Sequence, residues 1–357
     1  MPQQVKILVT GATGYIGGAV LGGFLARPDA SSLDFRAIVR SPEKAEKLKA
    51  FGITPIVGSH NDEELMVKAA SEVDVVLAMA DSNDLPAAQA TLKGLKKRFE
   101  ETGTPPIFIH TSGTGSLIDN AAGMYASDII YDDSDPDQIE TLPATQAHRH
   151  VDLELRSYAS FTAANTDSSS VSFVVGYIKS YIVLPTTIYS IAQGPLFEAG
   201  ISNSHSVQVP RLIRASIARK QAGMVGKGAN FWPNVDVHEL ADLYSTLWDS
   251  IIKNTETGHG RQGYYFGANG EHRLYDVGQA IGEALVALGI SKSPEPTTFT
   301  QEELKKYFEG VTYSEHNSRC RASRSKSIGW NPKMTTEDFL KSIKPEVEAW
   351  VRKGAAI

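Results

Sequence analysis

The sequence contains little cysteine, no long hydrophobic run and no excess of basic charge. A single cysteine, Cys320, among 357 residues excludes an internal disulfide and a cysteine-based metal cluster. The apolar runs fall short of the roughly 20 residues needed to span a bilayer. A net charge of −6 without a long Lys/Arg run argues against nucleic acid or an anionic membrane as a partner. We therefore expect no metal, nucleic-acid or membrane partner.

The remaining composition, 41% hydrophobic and 21% charged residues, is that of a soluble globular protein. The chain enters an apolar run within a few residues and has no basic or apolar leader region, so no signal peptide is expected. Its length predicts two domains, or one large core with an appended lobe. We expect a cytoplasmic monomer or homodimer that acts on a small molecule.

Glycines dominate the stretch VKILVTGATGYIGG near the start of the chain. The apolar run before Thr10 predicts a buried strand, and a helix is predicted to follow the glycines. A glycine turn between strand and helix is typical of a phosphate-binding site, because the helix N-terminus offers unpaired N–H groups. The predicted cofactor-binding residues here are Gly11, Thr13, Gly14, Tyr15, Ile16 and Gly17.

Strand and helix patterns alternate after this turn, which predicts βαβ units and a doubly wound parallel sheet of the Rossmann type. We assign residues 1–190 to a dinucleotide-binding domain, with 229–269 returning to it. Residues 191–228 and 270–357 are assigned to a smaller substrate-binding lobe. Asn61 and Glu64 resemble a capping box, which predicts a helix start at Asn61. The acidic run from Asp132 to Asp137 is interpreted as a solvated surface loop.

The end of the predicted second strand decides which dinucleotide is favoured. An acidic residue there would bond the ribose of NAD, but this chain has Arg40, Ser41 and Lys44. A guanidinium fork suits a 2′-phosphate, so NADP(H) is preferred over NAD(H). The alternative is that Arg40 and Lys44 are solvated surface charges.

The motif TGATGYIGG, followed by a strand that ends in VR, resembles the short-chain dehydrogenase/reductase superfamily, in its extended or atypical, epimerase/dehydratase-like branch. The segment IFIHTSGTG resembles the family's fifth strand and catalytic-serine loop, and IVLPTTIY is similar to its sixth strand and nicotinamide loop, which places Pro185 at the cofactor. The resemblance covers nearly the whole chain. It implies hydride transfer at a nicotinamide, or a transient oxidation within an epimerase or dehydratase.

The family's catalytic Tyr-x-x-x-Lys pair is missing after the fifth strand. The alignment places His148 at the tyrosine and Asp152 at the lysine. His148, with a near-neutral pKa, is a candidate proton donor that Asp152 could orient, or it is only a polar residue at a helix start. Ser112 and Thr114 are candidates for binding the substrate oxygen, or they are turn-forming hydroxyls.

The leading hypothesis is an NADP(H)-dependent oxidoreductase that reduces a carbonyl or a similarly polarised double bond of a small organic molecule. Its catalytic residues would be Ser112, Thr114 and His148, with His148 or water as the proton source. One alternative is an epimerase, dehydratase or isomerase that uses the same cleft. Another is a catalytically silent, NADP(H)-binding redox sensor with a protein partner, because fold does not fix function.

Overall fold

A computed structural model describes residues 4–162, 173–253, 257–309 and 313–354. The strands in chain order are β1 (Val5–Thr10), β2 (Leu33–Val39), β3 (Thr54–Val57), β4 (Val75–Ala78), β5 (Ile107–Thr111), β6 (Tyr131–Asp132), β7 (Ser160–Thr162), β8 (Phe173–Val175), β9 (Lys179–Pro185), β10 (Thr187–Tyr189), β11 (Gly223–Met224), β12 (Phe231–Asp236), β13 (Tyr264–Gly267), β14 (Glu271–Arg273), β15 (Thr297–Thr298) and β16 (Cys320–Arg321).

The helices alternate with these strands over the first half of the chain. They are α1 (Tyr15–Leu25), α2 (Pro42–Lys49), α3 (Glu63–Ser71), α4 (Leu85–Thr102), α5 (Pro136–Glu140), α6 (Arg149–Ala159), α7 (Pro195–Glu198), α8 (Gln208–Arg219), α9 (Val237–Ile252), α10 (Leu274–Ala287), α11 (Gln301–Phe308), α12 (Ser323–Ser327) and α13 (Thr336–Arg352). Over the described ranges, none of them is long and apolar enough to cross a membrane.

Seven strands form one parallel sheet in the order β3-β2-β1-β4-β5-β9-β13. The order reverses direction between β1 and β4, which is the doubly wound arrangement of a Rossmann fold. The predicted fold class is therefore confirmed. The carboxyl ends of β1, β4, β5 and β9 meet at one edge, where ligands bind in sheets of this kind.

Local sequence signals explain several helix starts. Ser41 accepts a hydrogen bond from the Lys44 backbone N–H, and Pro42 occupies the first helical position of α2. The predicted capping box at Asn61 is wrong by one residue, because the Asp62 carboxylate accepts from the Leu65 N–H and begins α3. Either side chain can cap a helix, and the backbone geometry selects Asp62.

The acidic run is not a solvated loop throughout. Asp133 is buried and accepts hydrogen bonds from the backbone N–H groups of Phe266, Arg324 and Ser325. Burial raises its pKa to about 6. Asp133 therefore joins the edge strand β13 to the start of α12, and the interpretation as a surface loop is wrong at this residue.

Among the described residues, buried hydrophobic side chains form two clusters. The first packs both faces of the seven-stranded sheet and includes Trp330 from the C-terminal part of the chain. The second lies among α8, α10 and α13, beside the small sheet β10-β12-β14. The division into a dinucleotide-binding domain and a substrate lobe at the stated boundaries stays a prediction.

Candidate active site

The glycine turn between β1 and α1 is built by two close backbone approaches. Gly11 has a φ of +80°, and a Cβ there would lie 2.4 Å from the Met79 carbonyl oxygen. A Cβ on Gly17 would lie 2.1 Å from the Gly11 carbonyl oxygen, far inside ordinary contact distance. Both positions therefore require glycine, the first for its backbone angle and the second for its packing.

The N-terminus of α1 fits a pyrophosphate. Its N-cap residue is Gly14, which provides no side-chain cap for the first N–H groups of the helix. The predicted residue Tyr15 holds this helix in place, because its hydroxyl donates a hydrogen bond shared between the carbonyl oxygens of Tyr189 (2.8 Å) and Ser190 (2.5 Å). Only backbone atoms of Tyr15 are then available to a phosphate. Thr13 lies in the turn itself, where its carbonyl oxygen accepts from the Asn203 N–H.

The predicted 2′-phosphate residues lie at the carboxyl end of β2. Arg40 is exposed and forms no ion pair with any described residue. Lys44 is half-buried one turn into α2, and the Ser41 hydroxyl is engaged as the N-cap. A cation without a protein partner at this position can receive a phosphate.

A cavity of about 480 Å³ opens beside the carboxyl ends of β5 and β9, and we call it the Ser112 cavity. It brings together five of the predicted site residues: Ile16, Ser112, Thr114, His148 and Pro185. The other lining residues were not predicted, among them Gln208, Arg211 and Trp232. The lining combines apolar side chains with several polar ones that can orient a ligand, as in a small-molecule site.

Ser112 is joined to Asp152 behind the cavity wall. The Ser112 hydroxyl lies 3.1 Å from Asp152 Oδ2, and both side chains are buried. Asp152 Oδ1 is buried without a hydrogen-bond partner among the described residues. Burial raises the Asp152 pKa to about 7, against the opposing effects of the Ser112 hydrogen bond and the Arg149 charge. The pair can therefore exist with a protonated carboxyl at neutral pH.

His148 does not interact with Asp152 as predicted. Its Nδ1 lies 2.8 Å from Asn83 Oδ1 and 2.9 Å from Ser82 Oγ, both in the loop after β4. The expectation that Asp152 orients the imidazole is therefore wrong. His148 precedes α6 with a φ of +65°, so the chain turns its side chain away from the helix face that carries Asp152.

The tautomer of His148 follows from its neighbours. Asn83 Oδ1 also accepts from the His148 backbone N–H, which identifies it as the amide oxygen, so Nδ1 carries the proton. Burial lowers the His148 pKa to about 4. The expectation of a near-neutral pKa is therefore wrong, and at pH 7 the free Nε2 is a hydrogen-bond acceptor.

Two glycines allow this imidazole to reach the serine loop. Cβ atoms on Gly113 and Gly115 would lie 3.2 Å and 3.1 Å from His148 Nε2. The hydroxyl of Thr114, between them, is buried and has no hydrogen-bond partner in the described part of the chain. Because an unpaired buried hydroxyl is costly, this group is available to a ligand in the Ser112 cavity.

Parts of the chain are similar to known proteins. Residues 3–93, which include the glycine turn and Arg40, match the NmrA-like family. The chain is 29% identical over 301 residues to oxidase ucsJ from Acremonium sp, covering 80% of each protein. It is 32% identical over 130 residues to phenylcoumaran benzylic ether reductase IRL1 from Ginkgo biloba, covering 34% of this chain and 41% of that protein.

Among solved structures, the fold is similar to that of UDP-glucose 4-epimerase from Thermus thermophilus in complex with NAD. The TM-score is 0.56 at 17% identity, with 99% of this chain and 100% of that chain covered. The predicted resemblance to extended short-chain dehydrogenase/reductases is confirmed.

The structure shows what replaces the Tyr-x-x-x-Lys pair of the short-chain dehydrogenase/reductases at α6. Asp152, which the predicted alignment places at the lysine, is buried on α6, and His148, which it places at the tyrosine, lies just before the helix. Arg149, the first residue of α6, is also fully buried and donates to the Tyr264 hydroxyl at 2.7 Å. A charged residue beside two histidines gave no signal that it would be buried.

Proposed function

We propose that the protein is an NADP(H)-dependent oxidoreductase that reduces a carbonyl, or a similarly polarised double bond, of a small organic molecule. One observation carries the proposal: the Ser112 and Thr114 hydroxyls line a cavity that also reaches Ile16, directly after the glycine turn. A nicotinamide dinucleotide is supported by the free start of α1 and by the NAD in the similar epimerase. The relatives named as a reductase and an oxidase support redox chemistry.

The preference for NADP(H) over NAD(H) rests on Arg40. Its exposed guanidinium has no ion-pair partner among the described residues, and Lys44 lies on the next helical turn. An acidic side chain would occupy this region in an NAD-specific site. With these residues holding it, the dinucleotide would supply hydride to the Ser112 cavity.

The Ser112–Asp152 pair provides the proton that a reduction requires. When Asp152 is protonated, its carboxyl donates to Ser112 Oγ, and the Ser112 O–H is free to donate to the substrate oxygen. As negative charge develops on that oxygen, Ser112 gives up its proton and takes the one from Asp152, which is left as a carboxylate. The raised pKa of Asp152 matches this task at neutral pH.

Thr114 supplies a second donor to the same oxygen. Its hydroxyl is the unpaired polar group of the serine loop. His148 accepts rather than donates at Nε2, so its role is to orient a hydroxyl or a water molecule in the cavity. This assignment replaces the hypothesis that His148 is the proton donor.

Consumption of NADPH with a panel of aldehydes, ketones and enones tests the proposal. Ser112→Ala is expected to lower kcat about 100-fold, the usual cost of removing a donor to a developing oxyanion. The matched control is Ser157→Ala, which removes an exposed hydroxyl from α6. In the wild type, kcat is expected to fall as the pH rises through about 7, where Asp152 ionises. Equal rates for Ser112→Ala and the wild type would overturn the assignment.

A second candidate function, a catalytically silent NADP(H) sensor, is favoured by the replacement of the family's Tyr and Lys at His148 and Asp152. NADPH binding without turnover of any panel member would support it. An epimerase or dehydratase would convert its substrate without net NADPH consumption, which product analysis detects. The cytoplasmic location and the monomeric or homodimeric state stay predictions.

A further inference from the structure

A second cavity, of about 640 Å³, lies between α8, α11 and the end of α13, and we call it the Arg214 cavity. It shares Val207, Arg211 and Glu309 with the Ser112 cavity, so the two adjoin. A ligand bound at Ser112 can therefore extend past Arg211 into this space.

Three cations line the Arg214 cavity: Arg211, Arg214 and Lys306. None of them forms an ion pair within the described ranges. Arg219, also on α8, differs because its Nε lies 2.9 Å from Glu303. In addition, Arg214 Nε is buried without a hydrogen-bond partner among the described residues.

Aromatic rings hold these cations without neutralising them. The guanidinium of Arg214 lies 5.4 Å from the centre of the Trp350 ring, and that of Arg211 lies 5.4 Å from the centre of Phe308. Stacking against a ring fixes a guanidinium plane and leaves its N–H groups available at the edge.

The acidic groups nearby do not cancel the positive charge. Glu346 is buried and accepts hydrogen bonds from His205 Nδ1 at 2.6 Å and from Trp350 Nε1 at 2.9 Å. Glu309 also lines the cavity, but it is exposed at the end of α11. Arg211 Nε donates to the Tyr307 carbonyl oxygen, which leaves its charge unpaired. Among the described residues, the lining therefore carries three cations without an ion-pair partner against one carboxylate, that of Glu309.

We propose that the Arg214 cavity binds the anionic group, a carboxylate or a phosphate, of a substrate whose reducible part occupies the Ser112 cavity. The link to a substrate rests on the proposed function, whereas anion binding by the cavity does not. Forked N–H donors from two arginines suit either oxyanion.

Calorimetric titration with inorganic phosphate and, separately, with benzoate tests anion binding without cofactor or turnover. The wild type is expected to show saturable binding, and the tighter of the two anions identifies the headgroup. Arg214→Gln and Lys306→Gln together are expected to weaken that binding at least about tenfold, from the loss of two charge-assisted contacts. The control Lys305→Gln removes an exposed charge from the same helix outside the cavity and should leave binding unchanged.

Absence of saturable binding to the wild type, or equal binding by wild type and double variant, would overturn the proposal. Lys306 is exposed, so Lys306→Gln alone keeps the test valid if the Arg214 change prevents folding.

A matched pair of ketones, one with a carboxylate and one without, then tests whether the anion bound in the Arg214 cavity is part of the substrate. The double variant should lower the ratio of their kcat/KM values about tenfold. If neither ketone is reduced, the proposed function fails while the titration result still decides anion binding.

Discussion

Replacing Asp152 by Asn should remove a specific pH dependence from the stability of the fold. The Asp152 carboxyl is 1% exposed, and one of its oxygens has no hydrogen-bond partner among the described residues. A buried carboxylate in this position is disfavoured, and the protonated acid is not. Asn has nearly the same shape and cannot ionise, so it isolates the cost of the charge.

The raised pKa of Asp152 fixes the direction and the size of the change in the free energy of unfolding with pH. Burial raises the Asp152 pKa from 3.8 to about 7, so between these pH values the folded protein binds more protons than the unfolded chain. The stabilisation is therefore complete below about pH 4 and is lost as the pH rises through about 7. Between pH 5 and pH 8 the wild type should lose on the order of 2–3 kcal/mol through this group, at about 1.4 kcal/mol per pH unit.

Urea denaturation of the wild type and Asp152→Asn at several pH values from 5 to 8 measures the effect. Other carboxyls titrate in the same range, Asp133 among them, so the quantity to compare is the difference between the two proteins at each pH. Glu101→Gln, at an exposed position on α4, is the control for removal of one negative charge. A difference that stays constant from pH 5 to pH 8 would refute the reasoning.

Four further substitutions, one of them a control, test the cofactor site and the serine loop. Gly17→Ala should weaken NADPH binding at least about tenfold by fluorescence titration because its Cβ displaces the glycine turn. Gly22→Ala, in the same helix with open space around its Cβ, should instead stabilise the fold by about 0.5–1 kcal/mol and leave binding unchanged. Arg40→Ala should reduce the preference for NADPH over NADH about tenfold; an unchanged ratio would contradict the 2′-phosphate assignment. Gly113→Ala should displace His148 and abolish turnover of any panel substrate, and full activity would show that the imidazole is dispensable.

The fold was predictable because its signals are local. The glycine turn, the alternating strands and helices, and caps such as Ser41–Pro42 each depend on neighbouring residues, and the parallel sheet follows from their order. That Ser112 and Pro185 line one cavity was predictable for the same reason, since both lie at the carboxyl ends of strands in one sheet, β5 and β9.

The rest of the site depends on packing that adjacent residues do not encode. The positive φ of His148 turns its ring toward Asn83, and this leaves Asp152 to bond Ser112. The burial of Arg149 depends on Tyr264, which is 115 residues away in the sequence. The Arg214 cavity likewise requires helices from three separated segments to meet.

Transfer of deuterium to a panel carbonyl from NADPH that carries deuterium at both C4 positions tests the central claim most directly. Mass spectrometry of the product should show one deuterium on the former carbonyl carbon with the wild type, and Ser112→Ala should slow its appearance about 100-fold. Tight NADPH binding with no label transferred to any panel member would contradict the proposed reductase.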